Sequence, residues 1–327
     1  MFTIVTLFVL CALVIVATGA KLSYYGDVIA ERSGLGQAWV GVIAMASVTS
    51  LPELVTGVSA SVIGAPEIAV GDVVGSCLFN LLIIGVLDLL SPTPLFARLR
   101  PVHTLLAALG ALLLLATAGA ILTSEHWPAF GWVGAPSVLL FAGYLMAVRA
   151  IFRYERAHDQ VADDNVLADR YAHMSLRGAI WRYAATALVL VAAAANLPAL
   201  AVQLSDATGL AQSAVGTAFV ALSTSLPEVV VSIAALRLGA WDMAVANVLG
   251  SNLFNVAILA VDDVFFRQGP LLASVSAGHA MTALGAAAMS AIIIVGLIAR
   301  PPRLYSRVSW TLVGLVGVYV FTTWLAF

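Results

Sequence analysis

Thr49-Ser50-Leu51-Pro52-Glu53 interrupts a long apolar run, and the same five residues return as Thr224-Ser225-Leu226-Pro227-Glu228 inside a second apolar run. The two copies lie 175 residues apart. That offset holds for Gly75-Ser76 against Gly250-Ser251, and for Leu78-Phe79-Asn80 against Leu253-Phe254-Asn255. Matched segments with no gap between their motifs indicate an internal duplication. A proline and a carboxylate are each costly within an apolar helix, so their joint recurrence points away from chance.

Composition sets the environment. The chain has 327 residues, 62% hydrophobic and 10% charged, with a mean hydropathy of +1.03. Soluble domains average about 45–50% apolar and about 25% charged residues, so the polar surface is too small for an aqueous protein. The net charge of −2 gives no basis for a nucleic-acid partner. Cys11 and Cys77 both sit in apolar runs and form neither a disulfide framework nor metal-ligand spacing. Met1 to Ala20 lacks the charged start of a secretory signal. It is expected to be a retained first helix. The region after it supports this, since Gly34-Leu35 and Gln37 match Gly209-Leu210 and Gln212.

A spanning helix needs about 20 mainly apolar residues. By that measure the chain is an all-α membrane protein of about ten transmembrane helices. The expected spans are 2–24, 38–63, 67–90, 102–123, 129–151, 178–202, 212–238, 242–265, 273–299 and 306–326. With the N-terminus outside, every one of the 15 basic residues except Arg267 falls on the cytoplasmic side. Five spans followed by five more place the second copy upside down. The expected organisation is two inverted-topology five-helix repeats, 1–151 and 178–327, joined by a cytoplasmic linker at 152–177. The linker mixes Glu155, Arg156, Asp159, Asp163, Asp164 and Arg170, and is expected to be a solvated connection. His103, His126, His158, His173 and His279 lack ligand spacing and are expected in loops or at interfaces.

The paired motifs carry the chemistry. Pro52 and Pro227 each remove a backbone donor, which frees carbonyls around Val48 and Thr49 and around Ser223 and Thr224. Broken backbone at membrane depth is tolerated only where it is buried in protein or lines a cavity. Glu53 and Glu228 follow at once, and an acid at a helix centre costs about 2.5–3.5 kcal/mol on insertion scales. Such acids normally face the bundle interior and mark an ion or proton path. Thr49 and Thr224 lie four residues earlier on the same faces, with Ser50 and Ser225 beside them. Asp72, Ser76 and Asn80 follow at i, i+4 and i+8, matched by Asn247, Ser251 and Asn255. Gly71, Gly75 and Gly250 are small enough to let helices approach closely. The turns Gly64-Ala65-Pro66-Glu67 and Gly239-Ala240-Trp241-Asp242 place a glycine at one helix end and an acid at the next start, a structural assignment. The sum is an oxygen-rich cage without thiolate or imidazole, which suits a hard cation such as Ca²⁺ with its 6–8 oxygen ligands.

At these residues the chain resembles the cation/Ca²⁺ exchanger superfamily, and within it the sodium/calcium exchanger-like membrane proteins. That family carries a G-T-S-x-P-E-type core and a G-S-N-x-x-[ND] core in each of two α-repeats. Here the cores read Val48 to Glu53 with Gly75 to Asn80, and Ser223 to Glu228 with Gly250 to Asn255. The α-repeat regions would be 38–90 and 212–265. The resemblance implies a monomeric antiporter with alternating access and no cofactor. Its central site would be built on Glu53 and Glu228, aided by Thr49, Ser50, Ser76, Asn80, Thr224, Ser225, Ser251 and Asn255. The chain departs from the family in Val48 and Ser223 for glycine, in Cys77 for asparagine, and in Asn255 where an aspartate is frequent. Asp72 is expected to add a third acid nearby. These changes bear on the counter-ion, Na⁺ or H⁺, rather than on calcium.

Two buried carboxylates explain exchange physically. Empty, the site carries about −2, which is costly to move past apolar gates. One Ca²⁺ neutralises it, as do two Na⁺ or two protons. The first and sixth helices, which lack central charges, are the expected sliding elements. Na⁺/Ca²⁺ exchange is favoured over Ca²⁺/H⁺ exchange. An intramembrane aspartyl protease is disfavoured because Asp72 has no aspartate counterpart, and a passive channel because of the inverted duplication. A non-enzymatic protein in a prokaryotic plasma membrane is the expected setting.

Overall fold

The computed structural model describes residues 2–158, 171, 174–208, 222–300, 302–305 and 307–326. Helix α1 (Phe2–Ser33) leads into a bent pair, α2 (Gln37–Thr49) and α3 (Leu51–Val62), whose axes differ by 43°. Three long helices follow: α4 (Pro66–Leu90), α5 (Val102–Leu122) and α6 (Ala135–His158). The second half presents α7 (Leu176–Ala194), α8 (Leu197–Thr208), α9 (Leu226–Arg237), α10 (Trp241–Phe265), α11 (Ala277–Ala299) and α12 (Trp310–Ala326). Short antiparallel hairpins, β1 (Ala129–Phe130) with β2 (Val133–Gly134) and β3 (Arg303–Tyr305) with β4 (Val308–Ser309), precede α6 and α12.

The duplication extends far beyond the motifs. The starts of α3 and α9, α4 and α10, α5 and α11, and α6 and α12 are each 175 residues apart. Contacts between the halves are reciprocal: α4 packs on α11 as α10 packs on α5, and α3 on α10 as α9 on α4. The turns repeat as well. Gly64 and Gly239 take φ of 77° and 81°, a left-handed conformation open to glycine. The N–H groups of Ala65 and Ala240 then reach back to the carbonyls of Ala60 and Ala235.

Seven described helices are long and apolar enough to cross a bilayer, and the bent pair makes an eighth. Helix α12 is apolar but shorter, and the expected span 212–238 lies partly outside the described residues, as does Gln212. Large apolar side chains face outward, including Leu188 at 72%, Ile298 at 70% and Trp324 at 74% exposure. In water such a surface would aggregate, whereas lipid covers it. The chain is an integral, multi-pass, all-α membrane protein. Helices α4 and α10 are buried along most of their length, and α1 is exposed along most of its own.

Several local expectations need correction. Helix α1 runs well past 24 and stops only at Gly34, whose φ of 68° breaks the helix. The sixth span is two helices that part at Ala195-Asn196, just before Pro198. The 129–151 and 306–326 spans each begin with a hairpin. The segment 152–177 is not uniformly solvated. Glu155 is 3% exposed and accepts from Arg100 at 3.4 Å. Tyr171 is buried, its hydroxyl donating to Asp27 Oδ2 at 2.7 Å. Arg32 donates to the Tyr171 carbonyl at 3.0 Å, so the linker is tied to α1. Asp159, Asp163, Asp164, Arg170 and His173 lie outside the described residues, and His158 has no described side chain.

Candidate cation site

The two motif breaks have the same backbone. Ser50 has φ −89° and ψ 7°, and Ser225 has φ −85° and ψ 7°. Each proline falls in the first turn of the new helix, where its missing N–H is least harmful. A π-helical turn at Gly41–Met45 precedes the first break, a feature that sequence periodicity hides and that recurs at functional sites. One expectation is amended here. The N–H groups at the first break return to the carbonyls of Ala46 and Val48, so Val48 keeps a partner.

Each break then delivers its glutamate to the centre. Glu53 and Glu228 are both 0% exposed, as are Thr49, Ser50, Ser76, Asn80, Thr224, Ser225, Ser251 and Asn255. Asp72 is half-buried as a residue, although its Oδ2 is fully enclosed. Glu53 lies within electrostatic reach of Glu228 and Asp72.

Hydrogen bonds cross between the halves. Ser50 Oγ donates to Glu228 Oε1 at 3.1 Å, and Ser251 Oγ donates to the same oxygen at 3.4 Å. Thr49 Oγ1 donates to Asn247 Oδ1 at 3.4 Å and lies 3.3 Å from Ser251 Oγ. Ser225 Oγ donates to Ser76 Oγ at 3.2 Å, and Thr224 bonds to Asp72. Nine of the eleven candidate residues are thus linked in one polar region at the meeting of α2, α3, α4, α9 and α10, and Asn80 and Asn255 lie buried one turn further along α4 and α10.

The region is under-satisfied. Among the described residues, no hydrogen bond of ordinary length and angle reaches either oxygen of Glu53, Glu228 Oε2, Asp72 Oδ2, Asn80 Oδ1 or either polar atom of Asn255. A buried carboxylate without a partner is strongly unfavourable, and a cation offsets that cost. Among the described residues no three His, Cys, Asp or Glu side chains converge as a metal centre. An ion here would therefore draw on hydroxyl and amide oxygens as well as carboxylates.

Sequence reasoning passed over Asn252. Its Nδ2 donates to the Cys77 carbonyl at 3.0 Å, and its Oδ1 accepts from Asn80 Nδ2 at 3.1 Å. Asn252 thereby latches α10 to α4 at the position where the first copy carries Cys77. Removing its amide in Asn252→Leu would leave two buried groups unmet. The expected loss is about 1–2 kcal/mol, read as a lower melting temperature in detergent. A melting temperature equal to that of the wild type would show the latch to be dispensable.

His103 and His279 are not isolated. His279 Nε2 meets Glu67, and Glu67 also accepts the N–H of Ser276 at 2.8 Å. His103 Nε2 lies 2.7 Å from Asp242, which accepts the N–H of Arg100 at 3.1 Å. The acids at the starts of α4 and α10 thus make no side-chain cap of their own helices. They tie α4 to the start of α11 and α10 to the start of α5, each in the other half. Gly71 makes room for His279, and Gly250 seats directly on the backbone of α2 at Val42.

A single family model, described as "Sodium/calcium exchanger protein", matches residues 3–149 and again 178–326. CaxA of Alkalimonas amylolytica, which carries an antiporter name, is 30% identical over 273 residues, covering 80% of this chain and 81% of its own. The sodium/calcium exchanger MaX1 of Methanosarcina acetivorans is 27% identical over 302 residues, covering 81% and 84%. A solved structure of the sodium-calcium exchanger NCX_Mj superposes with a TM-score of 0.74 at 22% identity, covering 98% of this chain and 97% of that one. The fold is shared with that structure, and on the double match to the family model the chain belongs to the sodium/calcium exchanger family of membrane proteins.

Proposed function

We propose that the chain exchanges Ca²⁺ for Na⁺ by alternating access, with Glu53 and Glu228 as the central ligands. One observation carries this: two glutamates, one from each copy, are fully enclosed within electrostatic reach of each other, and among the described residues three of their four oxygens accept no hydrogen bond of ordinary length and angle. Thr49, Ser50, Ser76, Asn80, Thr224, Ser225, Ser251 and Asn255 complete the oxygen cage, with Asp72 on its flank. A relative named as a sodium/calcium exchanger supports sodium as the counter-ion.

The two copies act as inverted repeats with their boundaries near 151 and 178, and the chain works as a monomer. Helices α1 and α7, which pack on each other at the exposed edge of the bundle, are the moving elements. The N-terminus lies outside a prokaryotic plasma membrane and the linker faces the cytoplasm. Loading neutralises the carboxylates, so the filled site switches sides and the bare one stays put.

A Ca²⁺/H⁺ exchanger is the second assignment, favoured by Asn255 standing where an acid would bind an additional metal cation. Ca²⁺ uptake into proteoliposomes, driven separately by outward Na⁺ and H⁺ gradients, decides between them. Uptake on the Na⁺ gradient at clamped pH is expected. Uptake on the H⁺ gradient alone would establish the second assignment, and uptake on neither would remove both.

A further inference from the structure

A fourth buried acid lies beside the central site. Asp262, one residue before the structural acid Asp263, is 0% exposed, and neither carboxylate oxygen has a hydrogen-bond partner among the described residues. Asp263 is fully employed: its Oδ1 accepts the Leu271 N–H at 2.7 Å and its Oδ2 the Gly134 N–H at 2.8 Å. Its counterpart Asp88 accepts the Leu95 N–H at 2.8 Å, so that acid is a duplicated loop anchor. Asp262 has no such duty. Its counterpart in the first copy is the buried Leu87.

Three coordinated differences surround it. Asp262 abuts Gly57, one turn beyond Glu53, and a β-carbon built at Gly57 would lie 2.7 Å from the Asp262 carboxyl carbon. The counterpart of Gly57 is Ser232, and the counterpart of Asp72 is Asn247. In the second copy these close on each other, Asn247 Nδ2 donating to Ser232 Oγ at 3.0 Å. In the first copy the serine is a glycine and the asparagine an aspartate, and the residue that meets this glycine is Asp262 of the second copy, at the position where the first copy has Leu87. One flank of the centre is thus neutral and self-satisfied, and the other holds two acids, with the Asp262 carboxylate seated against the bare backbone of Gly57. Asp72 lies within electrostatic reach of both Glu228 and Asp262, so the acids form a continuous row. Asp262 sits near the end of α10, toward the loop end where Gln268 meets Gly64.

We propose that Asp262 and Asp72 form a second cation position, taken by a monovalent cation of the counter-ion side. The assignment rests on the exchange function proposed above. Its basis is charge balance at depth. An enclosed carboxylate with no partner among the described residues is strongly unfavourable at this depth, and a monovalent cation bound when Ca²⁺ leaves offsets that cost. The unpartnered oxygens supply ligands, and the missing side chain at Gly57 is what lets the Asp262 carboxylate reach this flank.

The test is displacement of bound ⁴⁵Ca²⁺ from the purified protein by increasing Na⁺ at fixed pH, and by acid in the absence of Na⁺. In Asp262→Asn the Hill coefficient for the displacing cation is expected to fall by about one, with half-displacement at several-fold higher concentration, while Ca²⁺ is still bound. The series in which the slope falls identifies the occupant as Na⁺ or as a proton. Unchanged slopes in both series would overturn the proposal. Asp262→Leu, which installs the residue of the other copy, guards against misfolding. It is expected to melt at or above the wild-type temperature and to show the same loss of slope, and a wild-type slope in this variant would also overturn the proposal. If the wild type itself binds no Ca²⁺, the exchange function fails, an outcome separate from either variant result.

Discussion

Glu53→Gln is expected to abolish Ca²⁺ uptake and to raise the melting temperature of the ion-free protein. The two effects share one cause. Glu53 is enclosed, accepts no hydrogen bond of ordinary length and angle among the described residues, and lies in the field of Glu228 and Asp72. Replacing it with a neutral amide removes the like-charge repulsion that destabilises the empty site. It also removes a ligand charge that a divalent ion requires. Breaking a buried charge pair by removing one partner costs about 3–5 kcal/mol, or about a hundredfold or more in affinity. The melting-temperature rise that Ca²⁺ gives the wild type should therefore vanish. Glu228→Gln should lose transport equally but gain less stability when empty, because Glu228 Oε1 already accepts from Ser50 and Ser251. Thermal melts with and without Ca²⁺, alongside vesicle flux, read both effects. Uptake within a factor of a few of wild type in either variant would remove the glutamates from the centre.

The duplication was legible because it is written in letters: proline, glutamate, glycine and asparagine recur at one offset, and helix starts follow them. Burial of the motif residues was legible because an acid in an apolar run has few stable places to go. Cross-repeat pairing was not. His103 and Asp242, or Asn252 and Cys77, are far apart in sequence and meet only when two helices cross. The π-helical turn at Gly41–Met45 leaves no mark on apolar periodicity, since its neighbours are apolar on all sides. Asp262 carried a signal that a comparison of copies reveals. Leu87-Asp88 becomes Asp262-Asp263, and a charge added to a duplicated apolar position needs a purpose. The tie of Tyr171 to Asp27 and Arg32 was hidden because a tyrosine within a charged linker looks solvated.

Gly250→Ala is expected to reduce transport by at least about tenfold, although Gly250 contributes no side chain to the cage. Helix α10 crosses α2 at two points of backbone contact. A β-carbon at Gly250 would stand 2.7 Å from Val42 Cα and 3.0 Å from the Val42 carbonyl oxygen, and one at Gly41 would stand 2.8 Å from the Met243 carbonyl oxygen. Backbone atoms have no rotamer to change, so even one methyl must push the helices apart. Overpacking of this kind costs about 1–3 kcal/mol, and here the displacement acts on the site. Thr49 on α2 reaches Asn247 and Ser251 on α10 at 3.3–3.4 Å, near the limit of a useful hydrogen bond. Separation by a few tenths of an ångström breaks these contacts and shifts Ser50 from Glu228. Gly317→Ala, at a position where no described atom lies within 4 Å, provides the control and should transport normally. If Gly250→Ala transports as well as that control, the close crossing of α2 and α10 is not what holds the cage in register.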